Sequence, residues 1–220
     1  MIRALVFDFD GLMVDTEATS LQSWQELYAG HGHELPLDLW VTLIGTWDAA
    51  FNPSVYLEGL VGRPMTAEEH AHRYTRELEL SRQLPLMPGV IAHIEAAEER
   101  GLALAVASSS SRVWVEGHLA NHGLRERFAC VITRDDVVRT KPNPEVYLAA
   151  AACLRTAPRE VLAYEDSAHG VTAAKDAGMA CVAVPGPLTV ECDFSRADRV
   201  LASLADVAPA ELWDGLGREM

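Results

Sequence analysis

Ala4-Leu5-Val6-Phe7-Asp8-Phe9-Asp10-Gly11 is the stretch that sets the architecture of this chain. Its first four residues are apolar, with β-branched and aromatic content, and suit a strand buried on both faces of a parallel sheet. The run then stops at acids and a glycine. From about Ala18 the rhythm changes, with Leu21, Trp24, Leu27 and Tyr28 recurring at helical spacing and Gly30 closing the run. Up to about Leu84 the chain reads as helical and strand-poor, with loops at Asn52-Pro53-Ser54 and Gly62-Arg63-Pro64. Thr66 followed by Glu69 predicts a capping box at the start of another helix.

Beyond Pro85-Leu86-Met87-Pro88-Gly89 helices and strands alternate. Val90, Ile91, Ile94 and Ala97 mark one helix face, with Gly101 as its cap. Leu102 to Ala107 is a buried strand that runs into four serines, and a helix follows to about His122-Gly123. Cys130-Val131-Ile132-Thr133 is the next strand, and Pro144 suits the first turn of the helix after it. Val161 to Tyr164 is a strand ending at Glu165-Asp166, followed by a helix to the Gly178 cap. Ala180 to Val184 forms one more strand, with a weaker one at Arg199-Val200-Leu201. This alternation predicts an α/β fold, a Rossmann-like parallel sheet covered on both faces. The expected division is a catalytic core of residues 1–15 and 85–220 with an inserted all-helical domain at 16–84.

Composition narrows the function. A chain of 220 residues with 49% apolar and 23% charged residues reads as an ordinary globular protein. No apolar run reaches the roughly 20 residues of a membrane helix, and the short apolar start lacks the longer core of a secretory signal. A cytoplasmic location is expected. The formal charge of −14 argues against nucleic acid, whose backbone needs a basic surface. A small phosphorylated partner remains compatible if a metal or a local cation overrides that field. Cys130, Cys153, Cys181 and Cys192 form no CxxC pair and are expected to be buried free thiols. His31-Gly32-His33 and His70-Ala71-His72 lack zinc-site spacing and read as surface residues.

In open parallel sheets ligands collect at the carboxyl ends of strands. Those ends here carry Asp8 and Asp10, then Ser108 and Ser109, then Glu165 and Asp166, with Lys141 in the loop Thr140-Lys141-Pro142-Asn143-Pro144. Taken singly, serines open helices, acids solvate loops and a lone lysine means nothing. Placed together at successive strand ends, they form a candidate site. There is no GxxxxGK[ST] or GxGxxG loop, and Gly11 comes too early after the acids for a calcium loop.

Asp8-Phe9-Asp10-Gly11-Leu12-Met13-Val14-Asp15-Thr16-Glu17 resembles the first motif, DxDGxxxDT/S, of the haloacid dehalogenase-like (HAD) hydrolase superfamily. Ser108 resembles its second motif, Lys141-Pro142 its third and Glu165-Asp166-Ser167 its fourth, in order across essentially the whole chain. The helical insertion resembles the cap of the phosphatase and β-phosphoglucomutase branch. The resemblance implies a magnesium-dependent phosphatase that works through an aspartyl-phosphate on Asp8, with Asp10 as general acid and then base. It implies Mg2+ held by Asp8, Asp166 and the Asp10 backbone carbonyl, with Glu165 as ligand or supporting partner. Gly11, Ser108, Ser109 and Lys141 are the implied phosphate-binding residues.

Within the superfamily, Asp10 argues against a haloacid dehalogenase, and the absence of lysine from Ala18 to Gly62 argues against a phosphonate hydrolase. A β-phosphoglucomutase-like mutase is the alternative. That branch carries a histidine four residues beyond the motif threonine and a cap arginine, where this chain has Ser20 and Thr46-Trp47-Asp48-Ala49 after Ile44-Gly45. Hydrolysis of a sugar or polyol phosphate is therefore expected. Trp24, Trp47, Phe51 and Tyr56 are aromatic candidates for the substrate wall or for the insertion's core, with core the better reading for Trp24. Asn52 and Ser54 are candidates for hydroxyl contacts.

Overall fold

The computed structural model describes residues 1–47 and 49–219, the last three of these by backbone alone, so Asp48 lies outside the described residues. Six strands form one sheet: β1 (Ala4–Phe7), β2 (Ala103–Ala107), β3 (Cys130–Ile132), β4 (Val161–Glu165), β5 (Ala180–Ala183) and β6 (Arg199–Val200). Their order is β3-β2-β1-β4-β5-β6, and every pair is parallel. In register, Ala4 faces Ala103 on one side and Val161 on the other, which puts β1 in the middle of the sheet.

Period-two alternation assigns each strand's side chains to two different cores. Leu5, Phe7, Leu104, Val106, Leu162 and Tyr164 face one layer, built from α5 (Val90–Glu99), α6 (Arg112–Asn121) and α9 (Pro209–Glu219). Ala4, Val6, Ala105, Ala107, Val161 and Ala163 face the other, where α7 (Glu145–Cys153) and α8 (Ala168–Asp176) pack. The second face is mostly alanine, and small side chains let α7 and α8 come close to the strand ends. α9 is absent from the sequence reading. Gly215 and Gly217 dilute its helical propensity, and Leu212, Trp213 and Leu216 fix it by burial.

Between β1 and α5 lie α1 (Thr16–Gly30), α2 (Leu37–Val41), α3 (Pro53–Val61) and α4 (Ala67–Ser81). They enclose a separate cluster of Tyr28, Leu35, Trp40, Ile44 and Leu57. The capping box of Thr66 and Glu69 is formed at the start of α4. Asn52-Pro53-Ser54 is a helix start rather than a loop: the Asn52 side chain caps α3 and Pro53 occupies its first turn. Among the described residues no helix is long and apolar enough to cross a membrane.

The cysteine expectation is corrected. Cys130 and Cys153 form a disulfide with their Cα atoms 6.5 Å apart, while Cys181 and Cys192 are free. α7 runs back along the strand it follows, so its last residue returns beside the first residue of β3. Sequence spacing does not show that return.

Candidate active site

Asp8 follows β1, Ser108 follows β2, and Glu165 and Asp166 end and follow β4, so the sheet itself brings them to one edge. Lys141 arrives from the loop between β3 and α7 and is completely buried. Its Nζ donates to Asp8 Oδ1 and to Glu165 Oε1, each at 2.5 Å. The peptide bond between Lys141 and Pro142 is cis.

Glu165 is held from every side. The Tyr147 hydroxyl also donates to Oε1, and the Ser167 backbone N–H and hydroxyl donate to Oε2 at 3.3 and 3.1 Å. α8 presses against this carboxylate through Gly170, where a Cβ would lie 1.9 Å from Glu165 Cδ. Gly11 plays the same part beneath Asp166. It has φ of +78°, and a Cβ there would sit 2.0 Å from Asp166 Oδ2. The Gly11 N–H is taken up by the Val14 carbonyl at 2.8 Å.

Asp8, Glu165 and Asp166 offer carboxylate oxygens within 4.8 Å of one another, all buried. Three acids thus share one lysine. Burial, then repulsion from Glu165, pushes Asp8 up to about 7 against the opposing pull of Lys141. Burial and then Asp8 drive Asp166 well above the usual carboxylate range. Burial alone would lower Lys141, but attraction from Asp8 and Glu165 outweighs it and raises its pKa. Asp166 Oδ1 is buried with no hydrogen-bond partner among the described residues. Hard oxygen donors, surplus negative charge and an orphaned oxygen together fit a divalent cation such as Mg2+.

Asp10 points away from this cluster into a cradle of donors. Thr16 Oγ1 and Trp114 Nε1 donate to its Oδ1, each at 2.7 Å, and Ser110 Oγ and Ser108 Oγ donate to its Oδ2 at 2.7 and 3.1 Å. Of these groups Ser108 was a candidate from the sequence and Thr16 is the threonine of the first motif, whereas Ser110 and Trp114 were not singled out. Ser110 could have been found, because it lies in the same four-serine run at the end of β2. Trp114 and Tyr147 gave no signal, since their roles depend on how α6 and α7 pack.

A cavity of about 570 Å³ opens between the helical insertion and the core, with Asp8, Asp10 and Ser108 on one wall. Trp24, Trp47, Phe51, Asn52 and Ser54 line it, but Tyr56 does not and instead packs edge-on to Phe51. Trp24 is both wall and core, because it also packs against the insertion's apolar cluster. Trp47 is 67% exposed and lies under the Arg134 guanidinium at 3.9 Å. The Asn52 side-chain oxygen is committed to the Ser54 and Val55 N–H groups at 3.0 and 3.2 Å. Ser109 donates to the Gly45 carbonyl at 3.0 Å and so ties insertion to core.

A family model described as haloacid dehalogenase-like hydrolase matches residues 5–184. The chain belongs to this family and is a phosphoric monoester hydrolase. YhcW of Bacillus subtilis strain 168, which bears a phosphatase name, is 44% identical over 223 residues, with all of both chains covered. A Drosophila melanogaster protein named as a pseudouridine-5'-phosphatase is 33% identical, with 94% of this chain and 91% of that protein covered. The crystal structure of CbbY from Rhodobacter sphaeroides in complex with phosphate matches with a TM-score of 0.76 at 30% identity, covering 94% of this chain and 96% of that one.

Proposed function

We propose that this protein is a Mg2+-dependent phosphatase that hydrolyses a small sugar or polyol phosphomonoester through an aspartyl-phosphate on Asp8. The observation that carries the reading is the buried Asp8 carboxylate, paired with Lys141 and beside an acidic pocket short of positive charge. Asp8, Asp166 and the Asp10 backbone carbonyl would hold the metal, while Glu165, with both oxygens already engaged, holds Lys141 in place. When bound, the ion neutralises phosphate charge and keeps the Asp8 carboxylate ionised.

Asp8 attacks phosphorus, and the bond to the leaving alcohol oxygen breaks as Asp10 donates it a proton. Asp10 then takes a proton from the water that attacks phosphorus, and the acyl phosphate breaks to release inorganic phosphate and free Asp8. Lys141 restrains the nucleophile and carries positive charge toward the phosphoryl oxygens. Ser108 and Ser109, in the loop between β2 and α6, would frame the phosphate with the Gly11 turn. Residues 16–84 form the cap that closes over the substrate, with Trp47 and Asn52 on its inner wall. The mutase alternative gains nothing from the cavity, where Ser20 stands in the wall and Arg73 is tied to Glu77.

Small phosphorylated metabolites are the natural substrates of such a cavity, in keeping with a cytoplasmic location. The Cys130–Cys153 pairing is unusual for that compartment. The deciding experiment is phosphate release from a phosphomonoester panel with Mg2+. Asp8→Asn should lower turnover by at least about a thousandfold, and chelation of Mg2+ should abolish it. Turnover by Asp8→Asn at the wild-type rate would defeat the proposal.

A further inference from the structure

The cavity wall beyond Asp10 carries a charge arrangement that phosphoryl transfer does not use. Arg73 and Glu77 stand four apart on α4 and share one face of the helix. Arg73 Nη1 donates to Glu77 Oε2 at 2.7 Å and to Ser23 Oγ at 3.1 Å, and its guanidinium lies 4.7 Å from the Trp24 ring centre. The two side chains are only 14% and 11% exposed, yet both line the cavity. The other arginine of the wall, Arg134, is stacked on Trp47 with its Nε 3.8 Å from Asp135. Glu17 lines the same space, with burial first and then Asp10, Asp8 and Glu77 pushing it up to about 8. Trp40 also lines the cavity, and its indole N–H is a buried donor with no partner among the described residues.

We propose that this wall receives an uncharged, hydroxyl-bearing leaving group, and that Glu77, by holding Arg73, excludes substrates with a second phosphate. The inference rests on the phosphatase reading above. A second phosphate would bring a charge of about −1.5 to −2 to a place where the arginine is already neutralised by Glu77. To bind it, Arg73 would have to leave Glu77 and strand a nearly buried carboxylate. A hydroxyl meets none of these costs. It can donate to Glu17 in the wall, and the C–H face of a sugar can lie on the aromatic residues there. Removing the Glu77 charge releases Arg73 to become an anion site.

The test uses p-nitrophenyl phosphate with Mg2+ to report the chemistry, with glucitol 6-phosphate and glucitol 1,6-bisphosphate as a matched pair of competing ligands. The wild-type inhibition constants should favour the monophosphate by at least about tenfold. In Glu77→Gln the ratio of the two constants should move at least about tenfold toward the bisphosphate, and Glu77→Asp should restore the wild-type ratio. Both constants come from the same protein, so a general loss of activity cancels, and melting curves establish that each variant folds. Equal wild-type constants, an unchanged ratio in Glu77→Gln, or competition by neither ligand overturns the inference while leaving the phosphatase reading standing. No p-nitrophenyl phosphate turnover by the wild type overturns both.

Discussion

Lys141 sets the charge balance of the site, since it is the cation that two of the three buried carboxylates contact directly. Replacing it with methionine keeps the volume and removes the charge, leaving Asp8 and Glu165 facing each other without compensation. Lys141→Met should cost about 3–5 kcal/mol of stability, measured by urea unfolding at neutral pH. The loss should shrink as pH falls, because a proton on either carboxylate replaces the missing ammonium. At this scale the acids were legible because each ends or closely follows a strand, and parallel sheets gather their strand ends at one edge, while Lys141, in the loop between β3 and α7, was legible through Lys141-Pro142. The donors around Asp10 were not. Trp114 reaches Asp10 only because α6 packs where it does, and the Arg73–Glu77 pair gains meaning only beside Trp24 and the cavity.

At the scale of elements, the sheet face opposite the alanine layer is pinned by a buried polar relay. Trp213 Nε1 on α9 donates to the Tyr164 hydroxyl on β4 at 2.6 Å, that hydroxyl meets His93 Nδ1 on α5 at 2.9 Å, and His93 Nε2 meets the Leu204 carbonyl at 3.1 Å. The network assigns the His93 proton to Nε2, so Nδ1 accepts from Tyr164 and the ring is neutral. Burial lowers the His93 pKa below its usual value. Between that lowered value and the unfolded value of about 6.5, the unfolded chain binds more protons than the native one. Stability should therefore be full above about pH 6.5 and fall as the medium becomes more acid. His93→Gln, which cannot titrate, should show a shallower decline of melting temperature between about pH 7 and 5, and an unchanged slope would assign the effect elsewhere. The strands were readable from their apolar runs, and the capped helices from Thr66, Gly101 and Gly178. α9 was not, since its burial against α5 is decided by tertiary packing.

On the scale of the whole molecule, the segment from Ile44 to Trp47 is one of the places where the helical insertion is seated on the core. The Ile44 carbonyl meets His169 Nδ1 at 3.0 Å, the Gly45 carbonyl accepts from Ser109 at 3.0 Å, and the Trp47 N–H donates to Thr140 Oγ1 at 3.2 Å. Gly45 has φ of +82°, and a Cβ there would fall 2.1 Å from Ser167 Oγ. Gly45→Ala should therefore wedge the insertion off the core, seen as a larger radius of gyration by small-angle scattering and a fall in kcat/KM of about tenfold or more. Elsewhere Ser81 Oγ meets His118 Nε2 at 3.3 Å, the Asn121 amide donates to the Arg82 carbonyl at 3.0 Å and Tyr74 packs against Trp114, and the chain's own entry and exit make a further attachment. The chain enters and leaves it through a ladder in which Val14 pairs with both Asp10 and Leu86, and the Met87 N–H donates to the Met13 carbonyl at 2.9 Å. Thr16, the first residue of α1, is also a donor to the Asp10 carboxylate. The tether of the insertion and the perch of the Asp10 carboxylate are thus one piece of backbone. In the proposed mechanism, rocking of the insertion would be felt at Asp10 as a change of posture, a mechanical linkage that would time its proton delivery to the closing of the cavity.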